Sequence, residues 1–116
     1  MSAGLLKAGI LHHQGQEEKA RAWLETYVRE IKDSWYVTIG EYLLGKSTEE
    51  SLKEKAGQSP ENLLTAYTPL GFWAEGSKDR ANALRYYKEA LGSFLDDWLE
   101  YDFARERLKR LRAPSG

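Results

Sequence analysis

The chain has 116 residues, with 17 Lys and Arg against 18 Asp and Glu, a formal net charge of −1 and a pI of about 6.1. That balance supplies no field to draw nucleic acid or an anionic membrane, and the lack of any cysteine excludes disulfides and thiolate metal sites. Apolar residues at 41%, aromatics at 12% and charged residues at 30% suit one helical domain over 1–116 with a thin core and a large polar surface.

The first helix is expected at about 3–14 and the second at about 17–32, where Trp23, Leu24, Tyr27, Val28 and Ile31 form an apolar stripe. The apolar start carries Lys7 inside it and has no cleavage-like site, so it does not read as a signal peptide. No apolar run approaches the roughly 18 residues that span a bilayer. A cytoplasmic location is favoured, with an exported or periplasmic one open should the chain be a piece of a longer protein. Helices at about 34–45 and 48–56 follow, then a connection through Gly57 in which Ser59 is placed to cap and Pro60 to open the next helix. That helix covers about 60–75, and its partner about 79–92. Pro69 inside it removes a backbone donor, so the helix either bends near Thr65 or begins around Thr68. A last helix at about 96–112 aligns Trp98, Tyr101, Ala104, Leu108 and Leu111 on one face.

One spacing organises these elements. Tyr67, Leu70 and Gly71 precede Ala74, the turn Glu75-Gly76-Ser77-Lys78-Asp79, and then Ala83 and Tyr87. Gly71 and Ala83 supply small contacts where two helices cross closely, and Tyr67, Leu70 and Tyr87 fill the space on either side. Gly76 is placed to end the first helix in the left-handed conformation and Asp79 to cap the second. Tyr36, Ile39, Gly40, Leu43, Gly45, Thr48, Leu52 and Ala56 stand 31 residues before Tyr67, Leu70, Gly71, Ala74, Gly76, Asp79, Ala83 and Tyr87. Leu52, in place of a small residue, predicts looser packing in that pair. A weaker copy opens the chain: Ala8 precedes Ala20 by the same 12 residues that separate Gly71 from Ala83, with Leu24 and Tyr27 following.

The Tyr67-x2-Leu70-Gly71 unit followed by Ala83-x3-Tyr87 resembles the tetratricopeptide repeat (TPR) family, whose usual period is about 34 residues. The stretch from Trp35 to Leu111 is similar to the C-terminal part of bacterial TPR proteins, some of them lipoprotein-like, with an ending that here reads Trp98-Leu99-Glu100-Tyr101-Asp102-Phe103-Ala104-Arg105. The resemblance implies an all-α, TPR-like α-solenoid of about three helix hairpins (about 3–32, 34–57 and 60–92) with a C-terminal capping helix at about 96–112.

It also implies a non-enzymatic scaffold or adaptor that holds a protein or peptide along a concave groove. Carried over by spacing, the groove residues are Leu5, His12, Val37, Glu41, Leu44, Thr68, Phe72 and Glu75. Phe72 with nearby carboxylates suits an extended or helical segment bearing apolar and basic residues. The same positions also read as ordinary exposed sites, or as packing partners of the C-terminal helix. The alternative function is a structural domain that self-associates as a homodimer through its Trp and Tyr residues.

Signals for chemistry are sparse. His12 and His13 diverge by about 100° on a helix and cannot chelate one ion together, so no metal and no cofactor is expected. Glu17-Glu18, Glu49-Glu50 and Asp96-Asp97 fall at predicted helix starts, where the macrodipole favours them. Asp96, Asp97, Glu100 and Asp102 precede Arg105, Arg107, Lys109, Arg110 and Arg112, which also complements a helix dipole. No nucleic-acid partner is expected from so short a basic stripe.

Overall fold

The structure, a computed structural model, describes residues 2–113; residues 1 and 114–116 of the expected single-domain span lie outside the described residues. It is all-α, with seven helices among the described residues: α1 (Ala3–His13), α2 (Glu17–Glu30), α3 (Ser34–Leu43), α4 (Glu49–Ala56), α5 (Pro60–Gly76), α6 (Arg80–Leu91) and α7 (Leu99–Arg112). Five of them begin with a side chain that accepts from an orphan amide of the first turn. Ser2, Asp33, Thr48, Ser59 and Asp79 receive the amides of Leu5, Trp35 and Tyr36, Ser51, Asn62 and Asn82 respectively. Each such cap is worth about 1 kcal/mol.

The first helix of each pair ends in one and the same turn. The amides of Gly15, Gly45 and Lys78 reach back to the carbonyls of His12, Tyr42 and Glu75. The amides one residue later, on Gln16, Lys46 and Asp79, reach those of Leu11, Glu41 and Ala74. This is the Schellman arrangement, which needs a left-handed residue just past the cap. Gly15 and Gly45 hold φ of 76° and 80°, and in the third pair the position falls on Lys78 at φ 61°. Gly76, expected to end the helix in the left-handed conformation, stays inside α5; the longer α5 carries the turn two residues further on.

Packing centres on α5. Every residue from Leu64 to Gly71 is buried, so this helix is enclosed on all sides, and its neighbours are α1, α3, α4, α6 and α7. α5 also runs unbroken through Pro69, so it does not begin at Thr68. α5 and α6 form the closest hairpin: a Cβ on Gly71 would stand 2.5 Å from a Tyr87 ring carbon. α3 and α4 meet only sparingly, as a buried Leu52 in place of a small residue dictates.

α1 bypasses the second pair and lies on α5. Leu5, Ala8, Gly9 and His12 are its buried stripe, at the spacing of one helix face. The Cα radius of gyration is 13.3 Å, close to the roughly 13 Å of a compact domain of this size. α7 begins at Leu99, three residues later than expected, and lies against α6 and α5. Among the described residues no helix is long and apolar enough to cross a membrane.

Candidate interaction surface

The C-terminal half of α5 gathers the densest set of polar and aromatic contacts. From α1, His12 stacks on Trp73 at 4.0 Å between ring centroids and His13 on Phe72 at 4.2 Å. His12 Nδ1 lies 3.1 Å from the Trp73 carbonyl and His13 Nε2 lies 2.9 Å from that of Phe72. A carbonyl only accepts, so each of those ring nitrogens carries the proton. From α7, Phe103 meets Phe72 edge to face at 5.2 Å. Arg107, one turn further along α7, forks onto Glu75: Nε donates at 2.9 Å and Nη2 at 2.6 Å. Tyr87 of α6 donates to the same carboxylate at 2.6 Å.

The Glu75 side chain is only 8% exposed. Burial alone would raise its carboxyl, but the Arg107 and Tyr87 hydrogen bonds, with the guanidinium charge, outweigh it and hold the group below the usual carboxylate range. Burial, together with the bond to Glu75, pushes the Tyr87 phenol above the usual tyrosine range.

A second cluster of the same chemistry joins α4 to α5 and α6. Arg85 grips Glu49 with two bonds of 2.8 Å, and Tyr67 donates to it at 2.9 Å. Arg85, followed by Tyr67, holds the Glu49 carboxyl below its ordinary value despite partial burial. Lys53 bridges Glu49 and Glu89, and Tyr42 of α3 pairs with Tyr86 of α6 at 2.9 Å. Both carboxylates accept hydrogen bonds from an arginine and a tyrosine on other helices, and both act as ties between helices. Among the described residues no group of three or more His, Asp and Glu converges to hold a metal ion.

The eight residues expected in a groove separate into three groups. Leu5 and Thr68 are core residues at 2% and 0% exposure, closed to any ligand. Leu5 belongs to the α1 stripe that packs on α5, and Thr68 lies on the enclosed stretch of α5. Phe72 and Glu75 lie one turn apart on α5 and are taken up by His13 of α1 and by Phe103 and Arg107 of α7, while His12, on α1, packs on Trp73. Val37 and Glu41 on α3 and Leu44 at its C-cap remain half-exposed, at i, i+4 and i+7, with Leu44 also packed against the core. The Glu41 carboxylate has no hydrogen-bond or ion-pair partner among the described residues.

Sequence reasoning missed the partners: Trp73 for His12, Phe103 and Arg107 for Phe72 and Glu75, and Arg85 for Glu49. Phe103 and Arg107 stand one turn apart on α7, as Phe72 and Glu75 do on α5, and that matched spacing was the available signal. No protein-family model, no curated protein and no solved structure matches the chain.

Proposed function

We propose that this chain is a non-enzymatic protein-interaction module of tetratricopeptide type, a scaffold or adaptor that binds a helical or extended segment carrying apolar and basic residues. The observation that carries the reading is that the α5 surface already holds a helix of this chemistry, its own α7. An aromatic and a cation one turn apart, Phe103 and Arg107, meet an aromatic and a carboxylate, Phe72 and Glu75. The repeated Schellman turns and the close approach at Gly71 support the repeat-hairpin kinship. The open counterpart of that surface is α3 with its C-cap, where Val37 and Leu44 flank the unpaired Glu41 carboxylate. A partner segment would lay apolar side chains on the two aliphatic residues and a Lys or Arg on the carboxylate.

The test is affinity capture from the source lysate with wild type, Leu44→Ala and Glu41→Lys proteins, followed by calorimetry with the captured segment. A partner held by wild type and lost by at least about tenfold in Glu41→Lys supports the reading. Capture that ignores both substitutions, or no specific capture at all, overturns it.

A further inference from the structure

The connection between α6 and α7, with the first residue of α7, carries three of the four exposed large apolar side chains among the described residues. Phe94 is 81% exposed, Leu99 75% and Trp98 38%. Phe94 also sits at φ 57°, a region that a bulky side chain adopts only under strain. Its ring gains nothing from the fold in return, because it projects into solvent. Folding alone would favour glycine at this position.

Beside this loop, α6 and α7 leave an open groove of about 480 Å³. Leu91 and Leu108 form its apolar floor, and Arg105, Lys109 and Arg112 its rim. Asp96 and Asp97 in the loop, and Lys109 and Arg112 on the rim, have no ion-pair partner among the described residues. Arg105 pairs with Asp102 on its own helix. An exposed ring flanked by free carboxylates thus lies next to an apolar groove flanked by free cations.

We infer that the chain forms a two-fold homodimer in which Phe94 of each copy enters the Leu91–Leu108 groove of the other, with Asp96 and Asp97 against Lys109 and Arg112. The occupant follows from complementarity: knob and hole match in both polarity and charge. Leu91 is three residues from Phe94, and the Phe94 amide reaches the Leu91 carbonyl, so knob and groove are neighbours, as a self-complementary two-fold contact requires. The acidic loop disfavours an anionic bilayer as the alternative cover. The left-handed backbone at Phe94 holds the ring outward, ready to insert.

Sedimentation velocity on the full chain tests this across a wide concentration range. Wild type should show a monomer–dimer equilibrium, and Phe94→Gly should weaken it by more than about tenfold. The glycine variant should melt no lower than wild type, because glycine adopts this φ freely, so loss of the dimer cannot be loss of the fold. Asp96→Lys/Asp97→Lys and Lys109→Glu/Arg112→Glu should each be monomeric alone and form a heterodimer when mixed. A wild type that stays monomeric throughout overturns the inference and leaves the loop to a different partner. So does a dimer that survives Phe94→Gly, or a mixture of the two charge-reversed variants that fails to assemble. None of these variants touches α3, so the outcome is separable from the peptide-binding reading.

Discussion

Lys78 occupies a backbone position that its two counterparts give to glycine. All three turns make the same pair of hydrogen bonds, and in each the residue past the cap is left-handed. At Gly15 and Gly45 no atom stands within 4 Å of where a Cβ would be, so the preference there is purely a matter of backbone conformation. An L-residue in that region costs roughly 1–2 kcal/mol, part of which glycine gives back through its freer unfolded chain. Lys78→Gly should therefore stabilise the protein by about 1 kcal/mol, seen as a higher urea midpoint at unchanged slope. A lower midpoint would mean that the Lys78 side chain contributes more than the strain removes.

The position of α7 is set by a few side chains, and they make the packing testable element by element. Arg107 is 25% exposed and Glu75 is 8% exposed, so removing the cation leaves a nearly buried carboxylate without its main partner. Arg107→Met should cost about 3 kcal/mol, the lower end of what breaking a buried pair costs. Adding Glu75→Gln should recover much of that, because the stranded charge is gone. A double-mutant cycle by chemical denaturation checks it, and simple additivity of the two losses would show that the pair is not coupled.

The helices were legible to within a few residues because local chemistry announces them: Thr48, Ser59 and Asp79 cap where expected, and Pro60 opens α5. Tyr67, Leu70 and Tyr87 are buried as the motif demands. The assembly was not legible, since an apolar stripe says that a helix packs and not on what. Leu5 and His12 belonged to a real stripe, but the stripe faces α5. α7 begins later than its apolar face suggests because residues 95–98 close a turn first, with the Trp98 amide reaching the Leu95 carbonyl.

At the scale of the whole molecule, two carboxylates tie the outer helices to the central hairpin. Glu49 joins α4 to Tyr67 on α5 and Arg85 on α6; Glu75 joins α5 to Tyr87 on α6 and Arg107 on α7. Both carboxyls titrate below their ordinary value of 4.5 in the folded protein. The unfolded chain then takes up protons first as the pH drops, so their contribution is complete above about 4.5 and is lost as pH falls through the lower, folded values. Tyr67 and Tyr87 act at the other end. Burial, followed by their bonds to these same carboxylates, raises both phenols above the ordinary 10.0. Their contribution is complete below about 10 and declines as pH rises beyond it. Urea midpoints measured against pH should therefore fall on the acid side below about pH 4.5 and on the alkaline side above about pH 10. Glu75→Gln should flatten the acid arm while lowering the plateau, because an amide keeps the hydrogen-bonding shape but cannot titrate. An acid arm as steep in Glu75→Gln as in wild type would place the acid-sensitive tie elsewhere, at Glu49 or at the Asp79 cap, which Glu49→Gln then separates.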